Sequence, residues 1–195
     1  MRRPLDRYYT PDDLARACVG TLPCLDGLTV LEPSAGGGAF IRALRAHSSR
    51  ARLVALDIDS EALARAEIDV ETVDFLRWRE GGFKRCDWVV GNPPFAEAQE
   101  HVEAALRVAR VGVAMLLRLA FLESAERLDF WTGPGAGLDE VRVLAHRPSF
   151  TGGGTDSAAY GWFVWRTLAP RGRVMPCWDW RGAASRQVGL FGGGA

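Results

Sequence analysis

Along residues 12–120 short apolar runs alternate with amphipathic stretches, and glycine, proline or acidic residues mark the junctions. Leu14, Ala17 and Cys18 recur at helical spacing over 12–22. Pro11 stands at the start, and Asp12 and Asp13 lie where the positive end of a helix dipole favours acids. Thr29-Val30-Leu31 reads as a short buried strand running into Gly36-Gly37-Gly38, and Phe40, Ile41 and Leu44 mark a helix over 39–47. Residues 52–57 form a second strand that ends on an acid. Ser60 or Asp59 can cap a helix over 61–67, and a third strand covers about 69–73, before Asp74-Phe75. Asp87 to Val90 is a fourth strand, ending at Gly91-Asn92-Pro93-Pro94-Phe95. A helix over about 97–109 and a fifth strand, Val111 to Leu117, follow.

Strand and helix alternate through this half, which predicts a parallel sheet with helices on both faces. Each turn rich in glycine, proline or acid sits at the carboxyl end of a strand, the edge at which open α/β sheets bind ligands. After residue 120 the pattern changes. Residues 122–130 read as a helix, 133–137 as a glycine-rich loop and Val141 to Leu144 as a strand. Residues 149–157 are again glycine-rich, and Tyr160 to Trp165 is an aromatic strand. Two strands without an intervening helix predict an antiparallel pair at the edge, giving a mostly parallel, seven-stranded α/β sheet. The chain from about 170 is expected to be irregular, and 171–195 to be a basic, flexible tail.

The length of 195 residues suits one domain with a sizeable core. No apolar run approaches the ~20 residues that cross a membrane, and no apolar stretch follows the basic residues near Met1, so the expected location is cytoplasmic. The cysteines at 18, 24, 86 and 177 show no CxxC spacing and read as reduced thiols; no metal site is expected. Formal net charge is zero, but its distribution is uneven. Residues 1–140 carry 22 acidic and 17 basic side chains, whereas 141–195 carry two and seven. A basic final quarter suits a polyanion, and equally a solvated surface.

Glu32-Pro33-Ser34-Ala35-Gly36-Gly37-Gly38 directly follows the first strand, where glycines let a backbone approach a ligand. An acid ahead of the glycines suits a cationic amino-acid end better than a pyrophosphate, and the lysine of a phosphate-binding loop is absent. Asp57 closes the second strand, where a carboxylate can accept both hydroxyls of a ribose. Asp74 can accept from an adenine amino group and Phe75 can stack on the ring. The sharpest signal is Asn92-Pro93-Pro94-Phe95. Proline holds the turn rigid, the Asn92 amide and the Pro93 carbonyl present acceptors, and Phe95 offers a stacking face. Such a turn grips a planar NH2 group.

The order Tyr8-Tyr9-Thr10-Pro11, then Glu32 to Gly38, then Asp57, Asp74-Phe75 and Asn92 to Phe95 resembles that of class I S-adenosylmethionine-dependent adenine-N6 DNA methyltransferases. The resemblance covers about 1–120 and the aromatic strands to 166, and implies a Rossmann-like catalytic domain over 1–170. It implies that Thr10, Pro11, Glu32, Pro33, Gly36 and Gly38 border the methionine part of S-adenosyl-L-methionine. Asp57 would hold its ribose, and Asp74 with Phe75 its adenine. Asn92, Pro93, Pro94 and Phe95 would form the catalytic turn, with Phe95 and Phe150 as walls of a pocket for a flipped base. Core packing is an equally open reading of Phe150. No histidine is called for, so His47, His101 and His146 read as structural or surface residues. Only about 55 residues separate the catalytic turn from Phe150, which leaves little room for a separate recognition region.

Gln187-Val188-Gly189-Leu190-Phe191 resembles the short peptide by which bacterial proteins dock on the replication sliding clamp. The partners implied are therefore nucleic acid, DNA ahead of RNA, and a sliding clamp. Two neighbouring readings keep the chemistry and change the substrate: RNA adenine, or the amide of a protein glutamine. A reading of another class is a non-catalytic nucleotide-binding scaffold, against which Glu32 and Asn92 stand.

Overall fold

The computed structural model describes residues 9–59, 71–78, 86–150, 157–167, 173–178 and 181. The helix expected over 61–67 and the peptide Gln187 to Phe191 lie outside these residues.

Helix α1, Asp12–Val19, begins after Pro11 and buries Leu14, Ala15, Ala17, Cys18 and Val19. It stops short of the expected residue 22 because the Gly20 N–H and the Thr21 hydroxyl turn back onto its last carbonyls. Strand β1, Thr29–Glu32, is followed by α2, Ala39–His47. Strand β2 is Arg52–Asp57 and β3 is Glu71–Thr72, ahead of the short helix α3, Phe75–Trp78. Strand β4, Cys86–Gly91, leads through a 3-10 turn to α4, Ala98–Val108, and then to β5, Ala109–Arg118.

The single helix expected over 122–130 is divided instead. Two 3-10 turns, Leu119–Leu122 and Ala125–Arg127, precede helix α5, Leu128–Thr132. The break is at Ser124, a non-glycine residue at φ 115°, which no helix accommodates. Strands β6, Leu138–Leu144, and β7, Tyr160–Arg166, follow. An eighth strand, β8, Arg173–Trp178, lies in the stretch read from sequence as irregular.

The sheet order is β3-β2-β1-β4-β5-β7-β6-β8. The first five strands in that order are mutually parallel, β7 runs antiparallel to β5 and β6, and β8 pairs parallel with β6 along Glu140↔Arg173 and Val141↔Val174. The mostly parallel sheet with an antiparallel hairpin is thus as expected, with β8 added at its edge. Pro176 can sit in β8 because an edge strand leaves one row of N–H groups without a ladder partner.

Side-chain alternation on β5 and β7 divides the core. Ala114, Leu116, Trp162 and Val164 pack on the face holding α1 and α2, with Leu14, Val19, Phe40 and Leu44. Val113, Met115, Leu117, Phe163 and Trp165 pack on the other face with Val102 and Ala105 of α4. Each large apolar side chain so buried contributes about 1.5–3 kcal/mol. The Trp162 ring stacks on Phe40 at 5.6 Å, and its indole N–H donates to the Thr21 hydroxyl at 3.1 Å. The parallel register Glu32↔Ala55 and Leu31↔Val89 aligns the carboxyl ends of β1, β2 and β4. Strand order reverses between β1 and β4, the place where such sheets open a crevice.

Candidate active site

A cleft of about 190 Å³ opens at that reversal point. This far exceeds the ~30 Å³ share of one water, so the cleft is ligand-sized. Its lining brings together sequence-predicted residues from four loops: Pro33 and Gly36 after β1, Asp57 at the end of β2, Asp74 and Phe75 after β3, and Asn92 to Phe95 after β4. Thr10 borders a smaller adjoining hollow with Gly36, Gly37 and Asn92.

The glycine loop needs its glycines. Gly36 and Gly38 adopt φ of +49° and +77°, the left-handed region that costs a side chain strain. Tyr9 lies over the loop: a methyl placed on Gly37 would stand 3.4 Å from the Tyr9 ring. The loop is clamped to β2 by Asp57, whose Oδ2 accepts the Gly36 N–H at 2.7 Å while Oδ1 accepts the Asp59 N–H at 2.8 Å. A carboxylate offers about four acceptor positions, so Asp57 keeps capacity for a ligand at the cleft wall. Asp74 Oδ1 accepts the Leu76 N–H at 2.9 Å and so starts α3.

Asn92 is placed by a contact from the other end of the domain. Its Nδ2 donates to the Thr10 hydroxyl at 3.1 Å, while its Oδ1 is buried and has no hydrogen-bond partner among the described residues. Phe95 is fixed from several sides. The Arg118 guanidinium, at the end of β5, stands 4.7 Å over its ring, and the rings of Tyr160 and Phe150 lie 5.3 and 5.8 Å away. Phe150 is itself buried and joins this aromatic cluster rather than the cleft lining.

Glu32 also stands back from the cleft. It is 1% exposed, its Oε1 accepts the Ser34 N–H at 3.0 Å, and its Oε2 has no hydrogen-bond partner among the described residues. The carboxyl packs against the Cα of Gly91, where a β-carbon would overlap it. Burial, reinforced by the nearby Asp57 charge, pushes its pKa well above the ordinary carboxylate range.

Ile58, Val73, Glu97 and His101 line the cleft and escape a reading of the sequence motifs. Ile58 is an aliphatic side chain left 46% exposed at the cleft wall, and its only signal is its place directly after Asp57. Glu97 lies two residues beyond the turn Asn92 to Phe95. His101, read as a structural or surface residue, lines the cleft although only 4% of its surface is exposed. It is carried there by the first turn of α4.

No family profile matches the chain. Over 110 residues, 55% of its length, it is 36% identical to the type II methyltransferase M.TthHB8I of Thermus thermophilus. Over 92 residues, 45% of its length, it is 29% identical to the type II methyltransferase M.CvrRI of Paramecium bursaria Chlorella virus XZ-6E. These matches cover 25% and 24% of the two relatives, so the chain spans about a quarter of the proteins it resembles. Among solved structures, a Listeria monocytogenes protein assigned as a class I S-adenosylmethionine-dependent methyltransferase superposes with a TM-score of 0.69 at 11% identity, over 90% of this chain and 67% of that one. The fold is therefore the Rossmann-like fold of class I methyltransferases, in keeping with the order of motifs along the sequence.

Proposed function

We propose that this chain transfers a methyl group from S-adenosyl-L-methionine to the exocyclic N6 of adenine in DNA, with the base turned out of the duplex toward the turn Asn92 to Phe95. The observation that carries the reading is the Asn92 side chain. A buried acceptor without a donor costs about 1–3 kcal/mol, and among the described residues Asn92 Oδ1 is such an acceptor at a ligand-sized cleft. An exocyclic NH2 supplies the missing donor. Accepting its hydrogens at Asn92 Oδ1 and the Pro93 carbonyl draws the nitrogen lone pair out of conjugation with the ring and leaves it free to attack. Phe95, held by Arg118, Tyr160 and Phe150, presents a rigid ring for stacking.

The remaining residues suit the cofactor. Asp57 retains acceptor capacity for ribose hydroxyls, Asp74 and Phe75 suit the adenine, and the glycine loop under Tyr9 permits a close backbone approach. The carboxylates of Asp57, Asp74 and Glu97 around one cleft favour a cationic ligand. When bound, S-adenosyl-L-methionine supplies a methyl group already activated on a sulfonium. The chain's own part is then to hold nitrogen, carbon and sulfur in line and to exclude competing geometries. Turning the base out costs a few kcal/mol, to be recovered from contacts in the pocket.

DNA as substrate is supported by the two type II methyltransferases and by the Tyr-Thr-Pro start of the chain. The proposed partners are DNA and, on the ground of the peptide Gln187 to Phe191 alone, a sliding clamp. Among the described residues no helix is long and apolar enough to cross a membrane, which is consistent with a cytoplasmic site of action.

The test is incubation of the full chain with tritiated cofactor and duplex DNA, single-stranded DNA, RNA or cell protein, followed by mass analysis of the nucleosides. N6-methyladenine from DNA is the expected product. Label confined to RNA or to glutamine would move the substrate. Thermal stabilisation by NAD but not by S-adenosylmethionine would favour a nucleotide-binding scaffold.

A further inference from the structure

His101 has no part in the motifs, yet the first turn of α4 delivers its ring to the cleft wall. It lies against Phe75 with ring centroids 5.7 Å apart, at the end of the cleft that also holds Asp74. Its Nδ1 is 2.9 Å from the Glu97 carbonyl oxygen. A carbonyl can only accept, so Nδ1 carries the proton. Burial lowers the pKa of the ring and keeps it neutral, against the opposing pull of the Glu97, Asp74 and Glu100 carboxylates that face it. The second nitrogen, Nε2, is then an acceptor, and no hydrogen bond to it is made among the described residues. A neutral imidazole of fixed tautomer beside an aromatic ring and a carboxylate is a reader of donors.

We propose that His101 is a specificity residue for the cofactor's purine: Nε2 accepts one hydrogen of the adenine 6-amino group while the Asp74 carboxylate accepts the other, so the cleft selects a 6-amino over a 6-oxo purine. This rests on the reading that the cleft holds S-adenosyl-L-methionine with its adenine at Phe75. A 6-oxo purine turns a lone pair toward Nε2 and leaves a buried acceptor unmatched, the circumstance in which discrimination between analogues is large.

The test is calorimetric binding of S-adenosylhomocysteine and its 6-oxo analogue S-inosylhomocysteine to the wild-type chain and to His101→Leu. Wild type should prefer the adenosyl ligand by at least about tenfold, and His101→Leu, which leaves the Asp74 acceptor in place, should cut that preference by at least about threefold. An unchanged preference in His101→Leu overturns the proposal. A second measurement needs no variant. In 15N-histidine spectra of the wild-type chain, His101 Nε2 should be unprotonated, and its resonance should move with S-adenosylhomocysteine but not with the 6-oxo ligand. A protonated Nε2, or equal movement with both ligands, also overturns it. A wild-type chain that binds neither ligand removes the cofactor reading itself, an outcome distinct from binding without discrimination.

Discussion

Thr10 and Asn92, 82 positions apart in the chain, meet through one hydrogen bond of 3.1 Å that decides which way the Asn92 amide points. With Nδ2 committed to the Thr10 hydroxyl, Oδ1 is left as the free end of the side chain. Thr10→Val keeps the shape and removes the acceptor. A lost hydrogen bond of this kind is worth about 1 kcal/mol, and the amide is freed to rotate. Methyl transfer is expected to slow by about tenfold in kcat, with cofactor affinity changed by less than about threefold. An unaltered kcat in single-turnover measurements would show that the Asn92 amide is oriented by something else.

Asn92→Ala removes the acceptor itself. Loss of one preorganised partner of a reacting group costs about 10²–10³ in rate, so transfer should fall at least that far. Calorimetry should find cofactor affinity close to that of wild type. Loss of cofactor binding would contradict the assignment of Asn92 to the target amine.

Asp57→Ala should do the reverse. It releases the Gly36 N–H and with it the clamp between the glycine loop and β2, and it removes the acceptor proposed for the ribose. Cofactor affinity is expected to weaken by at least about tenfold, read as a higher dissociation constant before any change in the rate at saturation.

Glu32→Gln addresses the buried acid. The folded chain holds its pKa above the ordinary 4.5, so the folded state keeps a proton that the unfolded state releases. The stability contributed by this group is fully present below pH 4.5 and is lost as pH rises toward the folded value. Glutamine has nearly the same shape and no proton to lose. The Tm of Glu32→Gln relative to wild type should therefore increase between pH 5 and pH 8 in thermal denaturation. A difference that stays constant across that range would mean the carboxyl is charged in the fold.

Gly91→Ala tests the packing beneath the site. The added methyl would enter space held by the Glu32 carboxyl, an overpacking that costs about 1–3 kcal/mol or more. A fall in Tm is expected, and Glu32→Ala in the same chain should recover part of it, since residues in contact couple. Independent, additive effects of the two substitutions would refute the contact.

Much of the cleft edge was legible from local pattern. A short apolar run followed by glycine, acid or Asn-Pro-Pro marks a strand and the turn after it, and those turns gather because parallel strands place their carboxyl ends together. The middle of the chain was less legible. Residues 122–130 carry helical periodicity, but Ser124 takes a left-handed backbone that no spacing rule reveals, and the helix is divided. Strand β8 was hidden by Pro176, tolerable only because β8 is an edge strand, with one row of its N–H groups outside the ladder.

The sequence by itself determined the order of strands and helices, the chemistry at each strand end and the rigidity of the turn at 92–95, because each depends on residues a few positions apart. Tertiary packing decided what those residues can reach. It buried Glu32 behind Gly91, withdrew Phe150 into the Phe95–Tyr160 cluster, carried His101 to the cleft on the first turn of α4, and joined Thr10 to Asn92. The reason is geometric: burial and hydrogen-bond partners across the sheet are set by strand order and register, which bring together residues that carry no mark of one another in the chain.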